Sequence, residues 1–374
     1  MPNLSDSAEL IAGGGSQEGA VDVGKVELSF IDDGTITTDG IGTLSVVYTI
    51  EDETPGDSRD DWFISDLHFD FGASLDDIPT TKKGNPQIGK FDFGGYEPDS
   101  VVNDGTTATI TISNVNQGDL EYWAAHSVVE QRGGLDALEY ALPDVTVTMK
   151  ITDGPSAGDD SYFDVQLTSA EAPWLDGTYD NWCVDVGRTI NPGSTYNVQA
   201  YSSYEHIPDG VIDKPENLDA VNYLLNSYAA GQEIFDTEDG GDADDNGYEE
   251  SLGDLTYGDI QKAIWSLIDN SQSNSGIGSN DPDRWQQIAA EASVEGQGFE
   301  PGCDDVVGLI LVPVNGSGAV SNQVTIAQVT LAELEVPCEA RDETAWGITD
   351  GIPGLDDGFG DFGGSSWAEY NEIA

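Results

Sequence analysis

Residues 43–50 read TLSVVYTI, a run of β-branched and aromatic side chains that is typical of a strand. Similar runs recur up to about residue 151, and clusters of Gly, Asp, Asn and Pro separate them. These runs are KVELSF (25–30), WFISDLHFDF (62–71), TATITI (107–112) and VTVTMKI (145–151), with YWAAHSVVE (122–130) as a further candidate. Short strands at this spacing favour a β-sandwich, which we place at residues 21–155.

The second half of the chain mixes strand patterns with helical ones. Helices are predicted over 217–230, over 257–269 and from residue 281, and strands over 306–314 and 323–331. Thr256, followed three residues later by Asp259, predicts a capping box at the start of the second helix. The predicted protein is therefore mainly β with a few helices, an N-terminal β-sandwich followed by a mixed α+β domain over residues 161–345.

The two ends of the chain differ in composition from these domains. Residues 1–20 are small and polar, and we expect them to form a flexible leader. Residues 346–374 are rich in Gly and Asp and are expected to form a C-terminal tail.

The net charge of the chain limits the partners that it can bind and the environments in which it can stay folded. The 374 residues include 71 acidic and 12 basic ones, a formal net charge of −59 at pH 7. Nucleic acid and anionic membrane surfaces would be repelled, so we exclude them as natural partners. Such a charge is tolerated in a saline environment, where the screening length is about 3 Å at 1 M salt, or when divalent cations bind. We expect no transmembrane segment, because no apolar run approaches the roughly 18 residues that one needs.

The helix predicted over 257–269, YGDIQKAIWSLID, contains one polar residue in an unexpected place. Gln261 falls on the apolar face that Ile264 and Ile268 share, while Asp259 and Lys262 belong to the opposite, polar face. A buried amide without a partner costs about 1 to 3 kcal/mol, so Gln261 needs one. Either the carboxamide is hydrogen-bonded to a neighbouring backbone, or it reacts with a cysteine.

Cys183 lies in the strand-like segment NWCVDVGRTI (181–190), and Gln261 precedes AIW by one residue. A thiol packed against a glutamine carboxamide can displace ammonia and form an internal thioester. This pair resembles the thioester domains of bacterial surface adhesins, and the motifs DGTYDNWCVD, YSSYE and PCEARDETAWG resemble secreted surface proteins of bacteria and archaea. The resemblance covers about residues 161–370. It implies a Cys183–Gln261 crosslink that acylates partner amines and is shielded by Trp182 and Trp265.

The chain has three cysteines, so at least one is left out of any disulfide. If Cys183 forms the thioester, Cys303 and Cys338 remain, and a disulfide between them would close a loop of about 35 residues. Alternatively, all three are reduced in a cytosol, or Cys183 is a small buried apolar residue. The disulfide interpretation favours an oxidising exterior.

An acidic segment over residues 236–254 contains D-x-D-x-N-G, the opening of a calcium loop. Oxygens at its first, third and fifth positions converge on one ion, and the glycine permits the sharp turn. Without Ca²⁺ the segment would be a solvated acidic loop. The predicted ligands are Asp242, Asp244, Asn246, the backbone carbonyl of Tyr248, and a closing carboxylate from Glu249, Glu250 or Asp254.

These observations predict an extracellular or cell-surface adhesion protein of a saline environment. It would bond covalently to other surface proteins or to copies of itself, and it would not be an enzyme. The alternative is a structural subunit of a surface filament, S-layer or matrix that assembles through β-strand edges, with the Cys–Gln pair latent or stabilising. A cysteine hydrolase is set aside, because the nearest histidine in sequence, His206, lies in a turn-like segment.

Overall fold

The computed structural model describes residues 4–12, 21–32, 40–51, 61–82, 86–94, 101–103, 105–142, 146–154, 160–236, 251–273, 276–348 and 371–372. In these residues the chain is mainly β with a few helices, which confirms the predicted fold class. It divides into two compact units. We call the described residues within 1–55, 61–132 and 340–374 the sheet unit, and those within 133–339 the barrel unit.

The strands and helices are numbered in chain order. The strands are β1 (Leu4–Ala12), β2 (Val21–Asp32), β3 (Ile41–Ile50), β4 (Trp62–Gly72), β5 (Phe93–Gly94), β6 (Val101–Asn103), β7 (Thr107–Asn116), β8 (Tyr122–Gln131), β9 (Val147–Ile151), β10 (Phe163–Thr168), β11 (Gly177–Cys183), β12 (Thr195–Ser202), β13 (Glu233–Phe235), β14 (Ser251–Asp254), β15 (Val306–Pro313), β16 (Thr325–Thr330), β17 (Arg341–Ile348) and β18 (Asn371–Glu372). The α-helices are α1 (Gly134–Ala141), α2 (Leu218–Ser227), α3 (Tyr257–Ile268) and α4 (Pro282–Glu295).

The sheet unit is built on one antiparallel sheet. Its strands follow the order β5-β4-β8-β17-β1-β2-β3-β7-β6, and β18 pairs with β8. Alternate side chains, such as Val26, Leu28 and Phe30 of β2, are buried in one core. The Tyr48 hydroxyl of β3 donates to the His68 carbonyl of β4 at 2.8 Å, although the two strands are distant in the sheet order. The sheet therefore folds over onto itself around this core.

Both chain ends depart from the prediction, because their strands complete this sheet. β1 lies between β17 and β2, where a flexible leader was predicted at residues 1–20. Ala8, Leu10 and Ala12 of β1 are buried at alternate positions. A segment rich in small residues can therefore form a strand when its apolar residues alternate with exposed ones. β17 pairs with β1 and β8, so the predicted tail at 346–374 begins inside a strand.

The barrel unit contains a closed barrel in the order β10-β11-β16-β15-β12-β9. β9 pairs with β10 and β12, although the sequence prediction placed it in the sandwich at residues 21–155. The observed boundary between the units instead falls after residue 132. Strand patterns alone do not reveal which sheet a strand joins, and this accounts for the difference.

Two buried clusters organise the barrel unit. The inner cluster fills the barrel with alternate strand residues such as Val147, Met149 and Ile151 of β9. The outer cluster lies between the barrel wall and α2, α3 and α4, and Ile310 and Ile326 contribute to it from the strands.

In the described part of the chain, no helix has the length and apolar character needed to cross a membrane.

Candidate functional site

The helix that carries Gln261, α3, begins at a capping box. The Thr256 hydroxyl accepts from the backbone N–H of Asp259 at 3.3 Å, and the Asp259 carboxylate accepts from the backbone N–H of Thr256 at 2.9 Å. The predicted capping box is confirmed. Asp259 also accepts from Arg284 Nε at 2.9 Å and from the backbone N–H of Asp281 at 2.6 Å, which ties the start of α3 to α4.

The face of α3 opposite Ile264 and Ile268 is polar, as predicted, but most of it is buried. Every residue of α3 except Ser266 is buried, including Asp259 and Lys262 of the expected polar face. Burial lowers the pKa of the Lys262 ammonium, whose Nζ lies 5.7 Å from the centroid of the Trp285 ring. Gln261 is therefore one of several buried polar residues of α3, together with Asp259 and Lys262. What distinguishes it is the group to which its side chain is hydrogen-bonded.

Cys183 is the last residue of β11, and its side chain belongs to the inner cluster of the barrel. It is 1% exposed and lies opposite Thr325 of β16. Trp182 belongs to the outer cluster, because successive strand residues point to opposite faces. The predicted shielding residues are therefore separated, since Trp265 shares the cluster of Cys183 and Trp182 does not.

The Gln261 carboxamide is bound to the backbone of Cys183 at both ends. Gln261 Oε1 accepts from the Cys183 N–H at 2.8 Å, and Gln261 Nε2 donates to the Cys183 carbonyl at 2.8 Å. The Gln261 side chain is fully buried. The backbone interpretation of Gln261 is therefore observed, and the backbone belongs to the cysteine that the thioester interpretation names. The structure brings the two predicted residues together over a separation of 78 positions.

The Cys183 thiol is free and buried. Burial raises the pKa of this thiol well above its usual range, and the nearby carboxylate of Asp185 raises it further. Burial also raises the pKa of Tyr162 to about 12, with a smaller contribution from Cys183. The thiol is thus protonated at neutral pH.

Sequence reasoning missed Asn181, which precedes Cys183 by two positions and points to the same face of β11. Its pairing partners Phe163 and Ala327 both belong to the inner cluster. Asn181 is fully buried, and in the described residues neither Oδ1 nor Nδ2 has a hydrogen-bond partner. Trp265 Nε1 is buried without a partner in the same part of the structure. The alternation of side chains along a strand places Asn181 on the same face as Cys183, so the sequence could have identified it. That its amide has no partner is visible only in the three-dimensional structure.

The predicted disulfide between Cys303 and Cys338 is present, which confirms that pairing. Their Cα atoms are 5.3 Å apart, within the range that a disulfide spans. Thirty-five positions separate the two residues, and the enclosed chain contains β15 and β16 of the barrel. The crosslink therefore fixes the two ends of this hairpin to one another.

Most of the predicted calcium ligands, Asp242, Asp244, Asn246, Tyr248 and Glu250, lie outside the described residues, as does Glu249. Asp254 is exposed at the end of β14, opposite Glu233 of β13. β13 and β14 pair antiparallel and so bring the two ends of the acidic segment together. Among the described residues, no group of three or more His, Cys, Asp or Glu side chains is arranged to hold a metal.

Comparisons of the chain with protein-family models, with curated proteins and with solved structures gave no match.

Proposed function

We propose that the chain is an extracellular adhesion protein whose Cys183 and Gln261 form a thioester that acylates a primary amine of a partner. The observation that carries this proposal is the paired hydrogen bonding of the Gln261 carboxamide to the backbone of Cys183. It fixes the acyl carbon beside the residue that bears the only free thiol of the chain. Two reacting groups held in one orientation react far faster than free ones.

The chemistry is a balanced exchange of leaving groups. The Cys183 sulfur adds to the side-chain carbonyl carbon of Gln261, the carbon–nitrogen bond breaks, and the nitrogen departs as ammonia with the thiol proton. A partner amine then adds to the same carbon, the carbon–sulfur bond breaks, and Cys183 regains a proton from the amine. The products are an amide at Gln261 and a free thiol. Burial of both residues protects the intermediate thioester from water.

The proposed location and partners rest on the disulfide and the charge. A disulfide persists in oxidising compartments, which favours the cell exterior. The net charge of −59 favours a saline setting and repels anionic surfaces. The lysine side chain of a partner surface protein is attracted by this charge in its protonated form, and it supplies the primary amine after it loses its proton to water.

Intact mass spectrometry of the purified chain tests this function. We expect the wild-type mass to be lower than the sequence mass by one ammonia, beyond the disulfide correction, and C183A to lack that loss. Added methylamine should raise the mass of the thioester form by one methylamine, to the sequence mass plus one CH2 group after the disulfide correction, and should release a titratable thiol. A wild-type chain with no ammonia loss and with a thiol titratable after unfolding would contradict the proposal.

The alternative proposal, a structural subunit that assembles through strand edges, has less support from the described strands. β5 and β6 end the strand order of the sheet, and they have two and three residues. β1 already has a partner on both sides. Short edge strands resist pairing with a second chain. Fibres or sheets that form at high concentration in C183A as in the wild type would reverse this preference.

A further inference from the structure

In the barrel unit, the described buried polar side chains that lack a hydrogen-bond partner are close in sequence to Cys183 and Gln261. Within the described part of the barrel unit, the only buried side-chain nitrogen and oxygen atoms without a partner belong to Asn181 and Trp265. Asn181 shares a strand face with Cys183, and Trp265 follows Gln261 by one helical turn on α3. Cys183 and Trp265 pack in the same buried cluster. The other buried side-chain nitrogen and oxygen atoms in the described part of the barrel unit all have hydrogen-bond partners.

An unsatisfied amide in a protein core is uncommon and destabilising. Asn222, a second fully buried asparagine of the barrel unit, shows the usual arrangement. Its Nδ2 donates to Ser203 Oγ at 2.9 Å and to the Leu218 carbonyl at 2.7 Å, and its Oδ1 accepts from the Gly308 N–H at 2.7 Å. Asn181 differs from Asn222 in having no such partner. A buried amide that is unsatisfied in the resting structure can be explained if it forms hydrogen bonds in another state, such as a reaction intermediate.

We propose that Asn181 and Trp265 hydrogen-bond the tetrahedral intermediate of acyl transfer at Gln261, an inference that rests on the proposed thioester function. Addition of sulfur or of an amine to the acyl carbon creates an oxyanion at Oε1 and leaves one nitrogen substituent. The Cys183 N–H already donates to Oε1 in the resting state. Asn181 Nδ2 and Trp265 Nε1 supply further donors to the oxyanion, and Asn181 Oδ1 accepts from the nitrogen of the amine.

The proposal changes the role of Trp265 from shield to donor. Donors that are fixed in place before charge develops stabilise a transition state, and removal of one of them slows such reactions about 100- to 1000-fold. A residue that only shields the bond would act through its ring, which phenylalanine also provides. The substitution W265F therefore separates the two roles.

The experiment measures methylamine incorporation by intact mass over time in the wild type, N181L, W265F and the matched control W285F. Trp285 lies on α4, half-buried, and outside the cluster of Cys183. We expect N181L and W265F to react about 100-fold more slowly than the wild type, and W285F to react at the wild-type rate. Melting temperatures are recorded in parallel, with N222L for comparison. N181L should melt no lower than the wild type, whereas N222L should melt lower because it breaks three hydrogen bonds.

The outcomes separate this inference from the proposed function. A wild-type mass without ammonia loss overturns both. A wild type that carries the thioester, together with N181L and W265F that react within about twofold of its rate, overturns the donor role and leaves the proposed function standing. A folded N181L or W265F that never loses ammonia supports the donor role, because thioester formation passes through the same kind of intermediate. If N181L fails to fold, W265F and W285F decide the outcome.

Discussion

Arg284 Nε donates to the Asp259 carboxylate at 2.9 Å, and the Asp259 side chain is fully buried where α3 begins. Removal of one partner from a buried ion pair typically destabilises a protein by about 3 to 5 kcal/mol, because the other charge stays buried without compensation. We expect R284M to lower the free energy of unfolding by about this amount, measured by urea denaturation of the full chain. R188M is the control.

Arg188 also forms an ion pair, with Asp185 at 3.2 Å, but its side chain is 36% exposed. Exposed pairs contribute about 0 to 1 kcal/mol, so R188M should have a small effect. Equal destabilisation by the two substitutions would contradict the assignment of Arg284 as the anchor of α3.

His126 of β8 should make the sheet unit sensitive to acid. Burial lowers its pKa to about 3, with a further contribution from His68, and neither ring nitrogen has a hydrogen-bond partner among the described residues. Between about pH 6.5 and about pH 3 the folded chain therefore binds fewer protons at His126 than the unfolded chain does, so stability falls as the pH falls. The slope from one such group approaches about 1.4 kcal/mol per pH unit.

The measurement compares the pH dependence of unfolding in the wild type, H126F and H206Q, since His206 is exposed. We expect H126F to lose this contribution and H206Q to keep it. Asp70 acts in the opposite sense, because burial raises its pKa to about 6 and favours the folded chain as the pH falls towards about 4. That contribution is common to all three proteins and cancels in the comparison. Identical pH profiles for the wild type and H126F would refute the expectation.

The Cys303–Cys338 disulfide should stabilise the barrel unit by restricting its unfolded state. For a loop of 35 residues the chain-entropy relation gives about 3 to 4 kcal/mol. We expect the double substitution C303S/C338S to reduce the free energy of unfolding by that amount in denaturant titrations. A phosphine reductant, which reduces disulfides without thiol–thioester exchange, should destabilise the wild type to a similar extent and leave the double variant unchanged. Equal sensitivity of the double variant and the wild type to the reductant would contradict the assignment of the effect to this disulfide.

The acidic segment from residue 236 to residue 254 should respond to calcium. If Asp242, Asp244 and Asn246 hold one ion, a chelator will lower the melting temperature and added Ca²⁺ will restore it. D242A should melt at the temperature of the chelated wild type and ignore both additions. The neighbouring D245A, which falls between ligand positions of the motif, serves as the control and should still respond. A wild type indifferent to chelator would remove the calcium prediction.

Local patterns predicted most elements of the fold, because strand and helix signals depend on nearby residues. The capping box at Thr256 and the strand at residues 43–50 are examples. The assignment of β9 and β17 to their units was wrong, since pairing depends on residues that are distant in sequence. β1 was hidden by its small polar composition, and β9 by its neighbours in the chain.

The candidate site divides in the same way between local and distant information. Gln261 was recognisable because it breaks a local apolar pattern, and its link to Cys183 came from a resemblance of short motifs. The opposite orientations of Trp182 and Trp265 relative to Cys183 depend on which face of β11 borders the barrel interior. The unsatisfied amide of Asn181 depends on everything that surrounds it, so no sequence pattern could reveal it.

The late position of β17 in the chain determines when the sheet can be completed during synthesis. β17 joins β8 to β1 in the sheet unit, yet the ribosome makes it after every strand of the barrel unit. The barrel can therefore complete its hydrogen bonding while the sheet still lacks an interior strand. Until β17 is made, the edges of β1 and β8 that pair with it have no partner. More than 200 residues are translated between β8 and β17. A nascent chain of this protein exposes adhesive strand edges for most of its production, and a high density of negative charge is one means of keeping such chains apart.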